Sequence, residues 1–271
     1  MTEPVSVLMA VYAGTPADQL AAALHSVANQ TRRADEIVVV VDGPVTDNHE
    51  AVLGGHADSV TRVDMPNRVG LGRALQAGLV RCAGTWIARA DADDVNRPDR
   101  LEAQLSLLEV TGADVCSSSM TEVAGPSLRV VGLRRSPTTH RDFSRRMRMT
   151  NPVNHPAVVF RRDAALRAGG YRHLPLLEDY DLWARMLRDG AQFVGVEEPL
   201  VTFRVDGMLE RRADRTLAVS ERQLQRNLRD YGLIGWPGTL RNTVVRAAYR
   251  RMPTTLRARV YARLFRSRGD D

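Results

Sequence analysis

The segment Trp86-Ile87-Ala88-Arg89-Ala90-Asp91-Ala92-Asp93-Asp94 joins a mostly apolar run to a cluster of acidic residues. The apolar run, residues 86–90, is typical of a strand that is buried on both faces of a sheet. Three carboxylates follow within four positions, where that strand is expected to end. In open parallel sheets, ligands bind beyond the carboxyl ends of the strands. The segment therefore predicts a parallel sheet and a ligand site at one of its edges.

Strand and helix signals alternate on both sides of this segment. Apolar runs typical of strands occupy four further ranges: 5–11, 36–41, 60–64 and 114–118. Helical periodicity occupies three ranges between them: 16–29, 70–81 and 98–108, the last opened by Pro98. This alternation predicts an α/β fold in which helices cover both faces of a mostly parallel sheet.

The alternation weakens beyond residue 116. We expect edge strands at 128–133 and 157–160, and an amphipathic helix over 178–188. We also expect a closing hairpin formed by residues 192–196 and 200–205, with its turn at Glu198-Pro199. The last ~60 residues are rich in arginine and have helical periodicity.

The composition is that of an ordinary globular protein. The chain has 271 residues, of which 44% are hydrophobic and 26% charged, and its 38 basic residues, all arginine, exceed its 32 acidic residues to give a net charge of +6. Cys82 and Cys116 are far apart in sequence, so we expect neither a disulfide framework nor a cysteine metal site. We expect no signal peptide, and no apolar stretch approaches the ~18 residues of a spanning helix, so we expect a cytoplasmic protein.

The acidic cluster at 91–94 is the strongest candidate for a metal site. Neighbouring carboxylates repel one another, and a bound cation relieves that repulsion. Hard divalent ions such as Mn²⁺ or Mg²⁺ prefer this oxygen-rich environment. Asp42 and Asp64 lie near the ends of other predicted strands. The alternative interpretation of the cluster is a solvated turn that caps the helix after Pro98.

Several motifs occur in one order along the chain: 5–12, 35–43, 67–75, 88–94, 151–161, 169–171 and Leu177-Glu178-Asp179-Tyr180-Asp181-Leu182-Trp183. Over roughly residues 5–215 they resemble the family 2 glycosyltransferases, which have the GT-A fold. They are most similar to the branch that builds bacterial exopolysaccharides and cell-surface glycans. The resemblance implies an inverting, metal-dependent transfer of a hexose or deoxyhexose to an acceptor hydroxyl.

The resemblance also implies a donor site for a UDP-, dTDP- or GDP-sugar. The residues that it assigns to donor binding are Ala10, Val11, Tyr12, Asp42, Asn67, Arg73, Asp91, Ala92, Arg211 and Arg212. Asp91 and Asp93 fill the Asp-x-Asp motif and would hold the Mn²⁺ or Mg²⁺ ion. For Arg73, Arg211 and Arg212 the alternative is an ordinary solvated arginine.

On the acceptor side, Asp179 matches the general base of the family, with Glu178 and Asp181 as alternatives. A carboxylate that accepts the proton of an attacking hydroxyl accelerates such reactions by roughly 10²–10⁴-fold. His155 and Trp183 are candidate acceptor contacts, with a structural histidine and a core tryptophan as the alternatives. Glu178 and Asp179 also suit a helix N-terminus, where acids interact favourably with the helix dipole.

On this basis we divide the chain into three parts: a nucleotide-sugar-binding half (1–115), an acceptor-binding half (116–205) and a helical, arginine-rich extension (206–271). The extension has apolar stripes, such as Val244, Val245 and Ala248, on helices whose other faces carry arginine. Such helices are typical of proteins that bind a membrane surface, and a lipid-linked acceptor would fit. The alternative is that the stripes pack on the domain. We expect no nucleic-acid partner, because no such module is recognisable.

Two other functions fit parts of the pattern. A sugar nucleotidyltransferase would use similar metal-binding aspartates, but the Gly-rich, Lys-containing loop of such enzymes is missing here. A non-catalytic protein that binds nucleotide sugars would not need an intact Asp179. A dinucleotide-binding site is excluded at Gly70-Leu71-Gly72, because Leu75 stands where that motif has Gly or Ala.

Overall fold

The computed structural model describes residues 3–206, 215–252 and 266–267. In the first half, the strands are β1 (Val5–Val11), β2 (Glu36–Asp42), β3 (Val60–Met65), β4 (Trp86–Asp91) and β5 (Val95–Asn96). The helices between them are α1 (Ala17–Ala28), α2 (Asp47–Gly54), α3 (Leu71–Arg81) and α4 (Arg100–Thr111).

The second half mixes longer strands with shorter helices. Its strands are β6 (Val115–Ala124), β7 (Arg129–Arg134), β8 (Val158–Arg161), β9 (Phe193–Arg204) and β10 (Arg266–Ser267). Its helices are α5 (His140–Met147), α6 (Arg162–Arg167), α7 (Glu178–Arg188), α8 (Arg215–Asp230) and α9 (Trp236–Arg251), and a 3₁₀ turn covers His155–Ala157.

The ten strands form one mixed sheet. Its main path is β10-β7-β6-β8-β4-β1-β2-β3, while β9 pairs with β6 and β5. β4, β1, β2 and β3 run parallel, and β8 lies antiparallel between β4 and β6. The parallel half therefore has its strand ends at one edge, as the sequence predicts, and β8 joins it to the second half.

Alternate residues of the buried strands pack into two cores, one on each face of the sheet. Leu8 of β1 and Ile87 of β4 belong to the core that contains α3 and α7. Val7 and Met9 belong to the opposite core, with α1 and α4. Helices thus cover both faces, and the predicted α/β class is confirmed.

Two strand predictions for the second half are wrong. The predicted edge strand at 157–160 is β8, which lies inside the sheet between β4 and β6. The predicted hairpin of 192–205 is instead a single strand, β9, which runs parallel to β6. The pairing register between these two strands shifts on either side of Ser119 in β6. The Glu198-Pro199 signal therefore marks an irregularity within one strand, because a bulge accommodates a proline that cannot donate a ladder hydrogen bond.

Smaller differences concern helix boundaries and missed elements. Pro98 lies in the turn before α4, which begins at Arg100. The short helices α2, α5 and α6 were not predicted. None of the helices in the described ranges is both long and apolar enough to cross a membrane.

Candidate active site

Strand register brings the predicted donor residues to one edge of the sheet. Ala10 of β1 is paired with Val40 of β2 and with Asp91 of β4, and Val11 is paired with Val41. Asp42 is the last residue of β2, and Tyr12 and Ala92 directly follow the last residues of β1 and β4. The three residues therefore lie next to one another at this edge of the sheet. The edge beyond β1, β2 and β4 is therefore the place where a ligand would meet all of them.

Asp42 fixes the loop that leads into α3. Its buried carboxylate accepts hydrogen bonds from the backbone N–H groups of Val69 (2.7 Å) and Gly70 (3.0 Å). Gly43 has φ +85°, and a Cβ there would lie 2.8 Å from the backbone N of Arg68. Only glycine fits so close an approach in this conformation. The loop that carries Asn67 is therefore held against the end of β2.

The exposed side chains of this loop border the same edge. The Arg68 guanidinium lies 4.3 Å from the ring centroid of Tyr12, within cation–π range. Asn67 is exposed, and Arg73 is exposed in the first turn of α3. The Asn67 loop therefore lies beside Tyr12, and Arg73 follows it at the start of α3.

Three carboxylates converge beyond β4. Oxygen atoms of Asp91, Asp93 and Asp94 all lie within 4.8 Å of one another. Burial, and next the charges of Asp91 and Asp93, raise the pKa of Asp94 well above its usual value. Asp94 Oδ2 is buried without a hydrogen-bond partner among the described residues. An all-oxygen set of mutually repelling carboxylates fits Mn²⁺ or Mg²⁺.

The turn that carries these carboxylates is attached to the end of β9. Arg204 donates its backbone N–H to Asp94 Oδ1 (2.9 Å) and its Nε–H to the carbonyl oxygen of Asp93 (2.8 Å). The alternative interpretation of these residues was a solvated turn that caps the following helix. The bonds to Arg204 instead hold the turn in place from a strand more than a hundred positions later in the chain.

Glu178 and Asp179 begin α7 and are both largely buried. Asp179 accepts hydrogen bonds from Asn151 Nδ2 (2.7 Å) and from the Tyr180 N–H (2.7 Å). Burial raises the pKa of Asp179, although these two bonds oppose the shift. Burial, and next the charge of Asp179, raise the pKa of Glu178. A carboxylate whose pKa lies closer to neutral pH is better suited to accept a proton during catalysis.

The acid pair lies close to the donor side. A Cβ placed on Gly72 in α3 would be 3.0 Å from Glu178 Cβ, so the first turn of α3 packs directly on the start of α7. The predicted acceptor residue His155 lies beside Asp179, with Nδ1 4.0 Å from Asp179 Oδ2 and Nε2 3.0 Å from Tyr171 Oη. Burial, and next the charge of Arg89, lower the pKa of His155, so the imidazole is neutral at pH 7.

Arg89 is a site residue that the sequence analysis missed. It is fully buried in β4 and forms an ion pair with Asp91. Its charge also opposes the effect of burial on the pKa values of Glu178 and Asp179. The sequence contains a signal for this role, namely a charged residue inside an apolar strand. Such a residue is buried with the strand and needs a buried partner of opposite charge.

Two interpretations from the sequence need correction. Trp183 is fully buried between the rings of His155 and Phe160, so it is a core residue and offers no surface to an acceptor. Asp181 cannot serve as a base, because its buried carboxylate pairs with Arg185. Asp64 lies near the end of β3, as expected, where it is exposed and pairs with Arg62. Arg89 pairs with Asp91, so the cluster at 91–94 has a buried basic neighbour.

Arg211 and Arg212 lie outside the described residues. The same is true of residues 253–265, which include a second predicted apolar stripe of the extension, formed by Leu256, Val260, Tyr261, Leu264 and Phe265.

Comparison with known proteins identifies the family. The family model described as glycosyl transferase family 2 matches residues 6–168, more than half of the chain. The chain belongs to glycosyltransferase family 2. It is therefore a glycosyltransferase.

Relatives with assigned roles align with most of this glycosyltransferase. The amylovoran biosynthesis glycosyltransferase AmsE of Erwinia amylovora is 37% identical over 82% of the chain and 84% of its own length. The UDP-Gal:alpha-D-GlcNAc-diphosphoundecaprenol beta-1,3-galactosyltransferase of Escherichia coli is 30% identical over 98% of both chains.

Solved structures show the same fold. The mannosyltransferase PcManGT from Pyrobaculum calidifontis, in complex with GDP-Man and Mn²⁺, superposes with a TM-score of 0.64 at 18% identity, covering 97% of this glycosyltransferase and 79% of that chain. S. aureus TarS 1-349 in complex with UDP-GlcNAc gives 0.67 at 15% identity, covering 83% and 66%. The predicted GT-A fold is confirmed.

Proposed function

We propose that this glycosyltransferase moves a hexose or deoxyhexose from a nucleotide-diphosphate sugar to a hydroxyl of a glycan or lipid-linked acceptor. The product would be part of a bacterial surface polysaccharide or glycolipid, as the names of the two aligned relatives suggest. The observation that carries the proposal is that one buried arginine, Arg89, acts on both the carboxylates beyond β4 and the acid pair that begins α7.

The donor would be a UDP-, dTDP- or GDP-sugar bound at the ends of β1, β2 and β4. Tyr12 and Asp42 line the nucleoside side of this site, and the Asn67 loop forms its wall. Asp91 and Asp93, with Asp94 beside them, would hold Mn²⁺ or Mg²⁺. A divalent ion held by these carboxylates would supply positive charge to the departing diphosphate.

The acceptor hydroxyl would approach from the side of α7. Asp179 takes the hydroxyl proton while the acceptor oxygen forms its bond to the anomeric carbon and the bond to the diphosphate oxygen breaks. Asn151 and the Tyr180 N–H hold the carboxylate in place, and Glu178 and neutral His155 border it. A single displacement with one base inverts the configuration of the anomeric carbon.

The test is a product analysis with the purified chain. Thermal shift with UDP-, dTDP- and GDP-sugars, with and without Mn²⁺, selects the donor. Release of nucleoside diphosphate is then measured with a panel of glycan and lipid-diphosphate-sugar acceptors, and the product anomer is read from its proton NMR coupling. Inversion supports the proposal. A product of retained configuration, or synthesis of a nucleotide sugar from a nucleoside triphosphate and a sugar phosphate, would overturn it.

The enzyme would act at the inner face of the plasma membrane, where a lipid-linked acceptor would be presented. The three-part division at residues 115 and 205 remains a prediction. Deletion of residues 206–271, followed by a measurement of donor binding, would test whether the first two parts act without the third.

A further inference from the structure

The hydrogen bonds of α9 show which of its sides faces the protein. Asn242 is buried and donates to the carbonyl oxygen of Arg148 (2.8 Å) and to Gln225 Oε1 (3.0 Å). Arg246 is half-buried, pairs with Glu221 (3.1 Å) and donates to the carbonyl oxygen of Met149 (2.9 Å). The inward side of α9 is therefore polar and charged.

The opposite side of α9 is apolar and exposed. We call it the outer face, and its large apolar residues, with their exposed fractions, are Trp236 (72%), Leu240 (67%), Val244 (58%) and Val245 (54%). Positions 236, 240 and 244 are four apart, so they follow one side of the helix. The apolar stripe of a surface helix normally faces the core. In α9 the apolar side instead faces away from the core. The alternative that the apolar stripe packs on the domain is therefore wrong for Val244 and Val245.

Basic residues surround the outer face. Arg241 and Arg251 are exposed on α9, and the Arg229 guanidinium lies 4.2 Å from the ring centroid of Trp236. No aspartate or glutamate occurs between residues 231 and 269. A second copy of this chain would bring like charges together at such a face. An anionic surface with an apolar interior matches both the charge and the hydrophobicity.

We propose that the outer face of α9 lies on an anionic lipid bilayer, with Leu240 and Val244 entering the acyl boundary and Arg241 contacting lipid headgroups. Trp236 would lie at the interface, where tryptophan is enriched in membrane proteins. This inference rests on the proposed lipid-linked acceptor, because it assigns the surface by which the enzyme reaches that acceptor.

The position of α9 relative to the candidate base supports this assignment. Asn227 Nδ2 (2.8 Å) and Tyr231 Oη (2.9 Å), in and just after α8, donate to Asp181 of α7. α9 in turn packs on α8 through Asn242 and Gln225. A bilayer bound to the outer face would therefore be held at a fixed position relative to Asp179, which lies two residues before Asp181.

The experiment is vesicle flotation of the full chain with phosphatidylcholine vesicles and with vesicles that contain ~30% phosphatidylglycerol. We expect flotation only with the anionic vesicles. The double variant Leu240→Gln/Val244→Gln should reduce partitioning by about tenfold or more, because two apolar side chains no longer enter the bilayer. Arg241→Gln should reduce it by about fivefold, since a surface arginine contributes ~1 kcal/mol.

The matched control is Val110→Gln/Val130→Gln, which changes two exposed valines elsewhere on the surface (85% and 64% exposed). This control should float like the unmodified chain. Nucleoside diphosphate release with a soluble acceptor should be unchanged in the double variant, so a failure of the membrane inference is distinguishable from a failure of the proposed activity.

Unchanged flotation of both the double variant and Arg241→Gln would overturn the inference. Equal binding to neutral and anionic vesicles would also overturn it. Light scattering after size exclusion provides the remaining outcome: a dimer that the double variant converts to a monomer, without any vesicle binding, would show that the occupant of the outer face is a second copy.

Discussion

Two groups of neighbouring carboxylates occupy the candidate site, and their surroundings differ. The strand-end cluster (Asp91, Asp93 and Asp94) has converging oxygen atoms, including a buried Asp94 oxygen without a hydrogen-bond partner among the described residues. The helix-end pair (Glu178 and Asp179) is buried, and Asp179 receives hydrogen bonds from Asn151 and the Tyr180 N–H. The first arrangement suits a cation and the second a proton, so environment, and not residue type, separates the two roles.

Arg89 is a buried cation that acts on both groups. It pairs with Asp91, and its charge lowers the pKa values of Glu178 and Asp179 against the larger effect of burial. We therefore expect a substitution in the strand-end cluster or in the helix-end pair to leave the other group functional, and a substitution of Arg89 to affect both.

The largest effect is expected for Asp179→Asn. The amide cannot accept the hydroxyl proton, so turnover should fall by about 10² or more while donor binding is kept. Steady-state kinetics and donor titration measure the two quantities. Asp189→Asn, at the other end of α7 and in an exposed pair with Arg188, is the control and should retain full turnover. Near-normal turnover of Asp179→Asn would remove it as the base.

Asp93→Ala tests the strand-end cluster separately from the helix-end pair. Loss of one carboxylate from the strand-end cluster should weaken Mn²⁺-dependent donor binding at least tenfold, which corresponds to ~1.4 kcal/mol. Calorimetry with and without Mn²⁺ measures this loss. Asp64→Ala, which changes an exposed aspartate at the end of β3, should bind donor normally. If metal dependence survives in Asp93→Ala, the cluster is not the metal site.

Arg89→Met should lower turnover at pH 7 by about tenfold, because loss of the nearby positive charge raises the pKa of Asp179 and leaves more of the base protonated. It should strengthen Mn²⁺ binding, because a competing cation beside Asp91 is removed. Arg89→Lys keeps the charge and should recover much of the loss. Mn²⁺ titration and the pH profile of turnover distinguish this role from packing. If Arg89→Met lowers only the melting temperature, Arg89 is a structural residue.

The smallest effect concerns pH. Because the pKa of Asp179 is raised, the base becomes protonated and turnover falls at a higher pH than for an ordinary aspartate. Asn151→Ala removes a hydrogen bond to the charged form, so the acidic limb of the kcat profile should move upward by about one pH unit. Asn227→Ala, whose partner is Asp181, is the control and should leave the limb in place. A limb that moves downward in Asn151→Ala would contradict this account.

The first half of the fold was predictable because its strands are continuous apolar runs. Val5–Val11 was predicted with the bounds that the structure shows, and β2 and β4 differ by one residue. α2 was missed because its sequence, Asp47-Asn48-His49-Glu50-Ala51-Val52-Leu53-Gly54, has too few apolar positions to form a stripe. β9 was misread because Glu198-Pro199 gives the same local signal in a turn and in a bulge.

For the site, the sequence predicts candidate residues for the chemistry but does not show which of them are paired. Asp181 and Asp179 are two positions apart on one helix and equally acidic in sequence. Only tertiary structure shows that Arg185, Asn227 and Tyr231 bind the carboxylate of Asp181. Likewise, the periodicity of α9 identified an apolar stripe, whereas its outward direction depends on contacts from Arg148 and Gln225, far away in sequence.

The two backbone hydrogen bonds that Asp42 accepts would affect the affinity of the proposed donor site for a nucleotide. These bonds hold residues 67–70 against the end of β2, so less conformational entropy would be lost if a donor bound at the proposed site. Asp42→Asn would replace one acceptor oxygen with a donor that faces an N–H group, and the wall would loosen before any ligand arrived. The proposed donor site would therefore lose part of its shape before any direct contact with the nucleotide was changed.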